Sequence, residues 1–363
     1  MRQLGLGHIG WLSRDEGPEC RTVAWCDINA KKMADSAAKH PDIRMYTDYR
    51  EMLNHPGLDA VVISAPNWVH AEQAIAFLEA GKSVFVEKPM GVNKAECDRI
   101  LQAVKKTGLN FTVDFEMRTS PFAARIRELI DAGKYGKLRR IEFIHHRGCW
   151  LEEGNGIWRT RPEKSGGHFL MEPIHEVDIC RYFAGEIKAV QTIAGPNVLD
   201  QYRFPDNLCS HLFFQSGVVA TLLASHTHSG AIPWDEQNDP GKMRRQGHDM
   251  NMIFTFAGAS IGVDFVHARI MTNIIEEYPK GSGGKRVVHQ ATEIIRDGDI
   301  HAFAHDIAAM RWTFIRRCGA GQPMVQDPVD IWKTHVVCLA AERSMIEDGR
   351  RIEIDYSLPA GVQ

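Results

Sequence analysis

The sequence predicts an α/β protein with two domains. Residues 1–117 are expected to form a doubly wound parallel sheet, and residues 118–363 an α+β domain with an antiparallel or mixed sheet. Three observations predict it. Short apolar strands alternate with helical segments through roughly the first hundred residues, the order that parallel crossover connections need. Near the start, Gly5-Leu-Gly7-His8-Ile9-Gly10 is followed by Asp27, 22 positions after Gly5. Beyond residue 118 strand-like segments succeed one another without long helices between them, which suits antiparallel or mixed pairing.

Only four residues precede Gly5, so the first strand is expected to be very short. Trp11 to Arg21 holds Gly17-Pro18 and few apolar side chains, so the first helix is expected to be short as well. Thr22 to Cys26 reads as a strand, Ala30 to Lys39 as a helix, Arg44 to Tyr46 as a strand and Tyr49 to Leu53 as a helical turn. Ala60 to Ser64 is an apolar strand, and Ala71 to Ala80 a helix stopped by Gly81. Ser83 to Val86 is a short, β-branched, buried strand. Lys94 to Thr107 is a helix stopped by Gly108, and Asn110 to Val113 the next strand.

In the second domain Pro121 to Ala132 is an amphipathic helix. Arg139 to His146, Val190 to Ile193, Leu208 to Phe214, Val218 to Ser225, Asn251 to Phe256 and Ser260 to Phe265 read as strands. Ser229 to Asp249 is polar and interrupted by Pro233, Pro240 and Gly241, and a loop of that length is functional, interfacial or mobile. Gly281-Ser-Gly-Gly284 reads as a further loop, and Phe303 to Cys318 and Pro328 to Asp348 as closing helices.

Composition excludes several classes of function. The chain is 44% hydrophobic and 25% charged with a net charge of −3, ordinary for a globular protein. Nothing in that balance calls for nucleic acid or an anionic membrane as partner. The eight cysteines are scattered without a C-x-x-C pair, which suits reduced thiols better than a disulfide framework or a zinc site. No apolar run approaches the roughly 20 residues needed to span a bilayer, and the amino terminus lacks a signal peptide's apolar stretch. A cytoplasmic protein is expected.

Three stretches carry chemistry. Strand, glycine turn, helix, strand and acid at the spacing of Gly5, Gly7, Gly10 and Asp27 form the Rossmann dinucleotide fingerprint. The glycines let backbone approach a pyrophosphate, and Asp27 takes ribose hydroxyls; its charge would repel a 2′-phosphate, so NAD is favoured over NADP. Next, Glu87-Lys88-Pro89 closes a strand at the sheet edge where ligands bind, since proline cannot continue a central strand. A lysine there can hold a hydroxyl or steer a proton, although a solvated Glu–Lys pair reads equally well. Ala65-Pro66-Asn67 makes a turn on the same edge, and His70 behind it is a site residue or a capping histidine.

The third stretch runs from Ser165 to Tyr182. Pro173 and Gly185 delimit a helix on which Glu172, His175 and Asp178 are spaced i, i+3, i+6, near one face. A histidine between carboxylates suits a general base. His168, Glu172 and His175 could also suggest a metal, but their order lacks a firm ligand spacing and no metal is expected.

Together the quoted residues resemble the Gfo/Idh/MocA family over nearly the whole length. The matches are Gly5-x-Gly7-x-x-Gly10, Asp27, Ala65-Pro66-Asn67-x-x-His70, Glu87-Lys88-Pro89, Arg118, and Gly166-Gly167 leading to His175-x-x-Asp178. The resemblance implies a tightly held NAD and a sugar, cyclitol or glycoside substrate oxidised at a secondary hydroxyl. It also implies an N-terminal Rossmann domain, a C-terminal α+β domain with a large open, mostly antiparallel sheet, and a homodimer or homotetramer built on that sheet. By this analogy Lys88 binds the reacting hydroxyl, His175 accepts its proton and Asp178 orients the site. His8, Ile9, Glu87 and Glu116 join the cofactor contacts. Arg118, Trp150, Trp158, Arg159, His168 and Glu172 are candidates for gripping the substrate. Members often carry an aspartate four residues before the histidine; Met171 stands there, and Glu172 follows. Two other outcomes fit the same resemblance: glycoside cleavage through transient oxidation, and a non-catalytic sugar- and NAD-sensing regulator.

Overall fold

In the computed structural model, residues 3–10, 13–15, 17–146, 158–227, 249–265, 268–295 and 303–362 are described. Trp150 and nearly all of the polar loop from Ser229 to Asp249 lie outside them. β1 spans Leu4–Ile9 and therefore runs through the glycine motif instead of ending before it. Two parallel neighbours hold it there: β2 (Cys20–Cys26) and β4 (Ala60–Ile63). Among the described residues between Gly10 and Cys20 there is no helix, which corrects the short first helix expected there.

β3 (Arg44–Tyr46), β5 (Ser83–Val86) and β6 (Phe111–Val113) complete a parallel six-stranded sheet in the order β3-β2-β1-β4-β5-β6. The reversal of order at β1/β4 is the place where such sheets open a crevice. Helices α1 (Ala30–Lys39), α2 (Tyr49–Met52), α3 (Asn67–Glu79) and α4 (Lys94–Thr107) form the crossovers. Their ends follow local chemistry. Asn29 and Asn93 cap α1 and α4 through their side chains, and Gly108, left-handed at φ 65°, ends α4. α3 begins four residues earlier than its apolar pattern suggests, because Pro66 already sets an extended N-cap for Asn67.

The chain enters its second domain through a 3₁₀ turn at Glu116–Thr119 and α5 (Pro121–Asp131). β7 (Leu138–His146), β8 (Ile187–Ala194), β9 (Asn207–Phe214), β10 (Val219–Ser225), β11 (Asp249–Phe256), β12 (Ala259–Asp264), β13 (Arg269–Glu277), β14 (Lys285–Ile294) and β15 (Ile352–Glu353) make the second sheet. Its order is β14-β13-β12-β11-β7-β10-β9-β8-β15. Only the β7–β10 pair is parallel, so the sheet is mixed and mostly antiparallel, as expected. The β13–β14 hairpin was not anticipated. It closes at the Gly281–Gly284 turn, and β14 is exposed along most of its length, so no apolar alternation marks it.

Short helices α6 (Pro162–Ser165) and α7 (His168–Met171) lead into α8 (Ile174–Ala184), and the chain returns through α9 (Ile307–Gly319) and α10 (Pro328–Ile346). α9 belongs to the later part of the chain yet covers the first sheet. Met310, Phe314 and Ile315 pack on Leu4, Leu6, Val62 and Phe85. That face is the one a first crossover helix would otherwise share. α10 wedges against both domains: Trp332 is fully buried and donates to Asp98 on α4 at 2.7 Å, and His335 accepts the amide of Met90 at 2.8 Å. No helix among the described residues is long and apolar enough to cross a membrane.

Candidate active site

A cavity of about 1010 Å³ opens along the carboxyl edge of the first sheet, lined by Ile9, Gly10, Asp27, Ala65, Pro66, Trp68, Trp158 and Arg159 among others. Gly10 turns the chain at φ 81°, and a Cβ there would lie 2.5 Å from the Ser64 carbonyl oxygen, so only glycine lets the β1 and β4 edges approach this closely. Asp27, at the end of β2, accepts the Asn29 amide at 2.9 Å and the Lys32 ammonium at 2.5 Å. Lys32 also donates to the Gly10 carbonyl at 2.8 Å, so a cation spans the turn and the acid. Volume, the glycine-tight turn and the acid at the second strand fit a dinucleotide.

Several residues expected at the cofactor stand elsewhere. Gly5 and Gly7 lie inside β1 and do not line the cavity. A Cβ on Gly5 would fall 1.7 Å from the Gly57 carbonyl oxygen, and one on Gly7 2.0 Å from the Met52 methyl group; these glycines admit neighbouring chain, not phosphate. His8 points to the α9 face, fully buried, with Nε2 3.2 Å from Asp15; burial lowers its pKa. Asp15 is also met by Arg311 of α9 at 3.1 Å. Asn67 and His70 sit behind the cavity wall. Asn67 donates to the Ser165 carbonyl at 2.9 Å, and the two ring nitrogens of His70 each lie 2.7 Å from a carbonyl, those of Pro89 and Ala65. His70 thus ties the loop after β4 to the loop after β5.

At the domain junction Lys88 comes near enough to His175 for its charge to act on the ring. Lys88 leaves the first sheet after β5 and its ammonium donates to the Met171 carbonyl, four residues before His175. His175, on the first turn of α8, has its pKa lowered by burial; the charges of Lys88 and His305 add to that effect while Glu116 opposes it. The carboxylate partner of His175 is therefore Glu116, with Oε2 3.3 Å from Nδ1, and not Glu172 or Asp178. Glu116 also holds His305 Nδ1 at 2.6 Å through its other oxygen. Against the effect of burial, the two imidazoles pull Glu116 down to about 2, and Glu116 raises His305. His305 was not found from sequence; it lies 189 positions from Glu116, and its one local signal is Asp306, the cap of α9.

The helix-face reading of Glu172, His175 and Asp178 needs correction. Glu172 precedes α8, is buried, and acts on the charge of His168. His168 is fully buried, lies 2.6 Å from the Pro205 carbonyl through Nδ1, and is pushed down to about 4 by burial. Asp178 gives both carboxylate oxygens to Arg118, each at 2.6 Å, and also accepts from Thr334 at 2.9 Å. Arg118 reaches Asp330 at 2.7 Å as well. Asp178 and Arg118 thus join three segments of chain, the turn after β6, α8 and α10. Trp158 and Arg159 line the dinucleotide cavity, with Trp158 edge-on to Trp68 at 5.3 Å between ring centres. Behind Lys88, Glu87 is raised to about 7 by burial and by Glu116, and it shares a hydrogen bond with Asp114, itself raised. Among the described residues no group of three or more His, Cys, Asp or Glu is arranged to hold a metal.

Comparison with known proteins agrees with this architecture. Residues 5–115 match the model described as "Oxidoreductase family, NAD-binding Rossmann fold", and residues 123–236 match "GFO/IDH/MocA C-terminal domain". The chain is similar to scyllo-inositol 2-dehydrogenase (NAD(+)) of Bacillus subtilis, 32% identical over 62% of this chain and 66% of that protein. It is also similar to 2,7-anhydro-N-acetylneuraminate hydratase of Mediterraneibacter gnavus, 31% identical over 54% of this chain and 52% of that one. The alignments thus span about half to two thirds of these relatives' length. Among solved structures, levoglucosan dehydrogenase in complex with NADH superposes with a TM-score of 0.75 at 18% identity, covering 98% of this chain and all of that one, a likeness of fold. With both of its domains matched in order, the chain belongs to the Gfo/Idh/MocA family and carries an NAD-binding Rossmann domain.

Proposed function

We propose that the protein is an NAD-dependent oxidoreductase that oxidises a secondary hydroxyl of a sugar, cyclitol or glycoside to a ketone. The observation that carries this reading is the approach of Lys88, from the first domain, to the segment that bears His175 in the second: its ammonium bonds the Met171 carbonyl and its charge acts on the His175 ring. Bound NAD supplies the hydride acceptor; position, charge and proton transfer come from the chain. Lys88 donates a hydrogen bond to the reacting oxygen and offsets the charge that develops on it. His175 keeps Nδ1 turned to Glu116, so Nε2 is the nitrogen left to take the hydroxyl proton. Burial lowers the pKa of the ring, with the charges of Lys88 and His305 adding to it, and so favours the neutral form that accepts a proton. Gly10, Asp27, Ala65 and Pro66 line the cavity and hold the dinucleotide.

The similarity to an inositol dehydrogenase supports cyclitols and sugars as the substrate class. The similarity to an anhydro-sugar hydratase supports a second outcome, in which oxidation is transient and a C–O bond is opened or closed with no net NADH. An NAD-reduction screen over cyclitols, free sugars, sugar acids and glycosides, with products read by mass spectrometry, separates the two. Lys88→Ala and His175→Ala are each expected to lower kcat by a factor of about 100 or more, with NADH binding retained by fluorescence titration. Unchanged turnover in both variants overturns the assignment. We further propose a homodimer or homotetramer through the open face of the second sheet, where Ile193, Leu223 and Ile253 are exposed. Light scattering that returns a monomer overturns that part.

A further inference from the structure

We propose that Glu116 and His305 complete the proton-handling unit of the site: Glu116 is the carboxylate that orients His175, and His305 is a second imidazole that shares it. The proposal rests on the reading of His175 as proton acceptor and extends it. Three observations converge. The carboxylate sits between two rings, 3.3 Å from Nδ1 of His175 and 2.6 Å from Nδ1 of His305. The two rings face edge to plane with centres 5.8 Å apart. Glu116 is buried, its side chain only 4% exposed, so a charge there is retained only with partners. Residue 171, where the family's common acid would stand, is a methionine whose backbone carbonyl is taken by Lys88. The site therefore draws its carboxylate from the 3₁₀ turn after β6.

The division of labour follows from geometry. The contact to His175 is within ion-pair range but off the hydrogen-bond line, whereas the contact to His305 is a short hydrogen bond. At rest Glu116 is bound mainly to His305. When the substrate O–H bond breaks, its proton forms an N–H bond at His175 Nε2; the C–H electron pair and its hydrogen would go to the NAD that the first domain would hold. The new imidazolium then competes for the same carboxylate, and His305, the more exposed ring (24% against 13%), is the one placed to release a proton to solvent. The other charges facing this unit are Lys88 from the β5 loop, Glu176 on α8, and Glu87 and Asp114 behind Glu116.

The test reads the rings directly, so it stands apart from turnover. In the purified protein with bound NADH, His175 and His305 are titrated by NMR on isotope-labelled imidazoles. In His305→Gln, the loss of one cation and the release of Glu116 should raise the His175 pKa by about one unit, and in Glu116→Gln both histidines should fall by about one unit or more. With an active polyol in hand, the acid limb of kcat/KM should move in the same two directions. A His175 pKa unmoved by both substitutions overturns the proposal, even where Lys88→Ala and His175→Ala confirm the catalytic pair. Should either variant fail to fold, the wild type decides. Two mutually dependent titration steps support the shared carboxylate, and two independent single steps overturn it.

Discussion

At the scale of single residues, the site is a line of buried charges whose ionisation each neighbour sets. Glu116 stays ionised because two imidazoles face it, and its charge in turn helps hold Glu87 protonated up to about pH 7. Burial is the larger cause, and Asp114 joins Glu87 in one shared hydrogen bond. Both carboxyls are raised, so the sign is that of groups that prefer to be neutral when folded. Their contribution to stability is whole below the ordinary carboxyl range and is lost as pH rises through about 7. Asp114→Asn keeps an N–H donor for Glu87 and removes one acid from the pair. The stability of the variant relative to wild type should therefore rise between pH 5 and pH 8 by on the order of 1–2 kcal/mol, since a tenfold change in proton affinity between folded and unfolded chain is worth about 1.4 kcal/mol. Urea unfolding at the two pH values checks this. A difference in midpoint that is the same at pH 5 and pH 8 would mean that the pair releases its protons without strain.

At the scale of elements, the sequence was most legible where local rules suffice. Lys94 to Thr107 reads as a helix stopped by Gly108, and the structure keeps both limits in α4. β4 and β5 are apolar runs buried on both faces, as strands in the middle of a parallel sheet must be. Failure came where distant chain decides. The glycine motif was expected to end a strand and open a helix, but β2, β4 and α9 pack closely enough to carry β1 through it. Likewise Glu172 and Asp178 share spacing with His175, but Asp178 is claimed by Arg118 and Thr334, which no local pattern shows. The corrected role of the first glycine is testable. Gly5→Ala drives a Cβ into the Gly57 carbonyl, which cannot swing aside as a side-chain end could. The expected loss is about 3 kcal/mol or more of stability, with NADH affinity of the folded protein unchanged. A fall in affinity without a fall in melting temperature would return Gly5 to the phosphate site.

At the scale of the whole molecule, the site exists only because two domains are held in register. Lys88 comes from the first sheet, Glu116 from the turn that leaves it, His175 from α8 and His305 from the loop before α9. A knot of charge sets that register. Arg118 grips Asp178 with two bonds at 2.6 Å and Asp330 with a third at 2.7 Å, and Arg181 holds Asp330 from the other side at 2.8 Å. Two residues of one turn, Glu116 and Arg118, thus point to different tasks: one meets the imidazoles, the other fastens the turn to α8 and α10. Removing one member of a buried pair leaves the other charged and unpartnered, which costs about 3–5 kcal/mol, whereas replacing both with apolar groups is often close to neutral. Arg118→Met should therefore lower stability by that amount, and Arg118→Met with Asp178→Leu should recover part of it. Asp330 keeps Arg181 in both variants, and Asp178→Leu alone completes the cycle, which separates the Arg118–Asp178 bond from the Thr334 bond that Asp178 also accepts. Paired denaturation curves and steady-state kinetics distinguish the two roles for Arg118. A domain clamp loses stability with KM held in the folded fraction, while a substrate ligand would raise KM at unchanged stability.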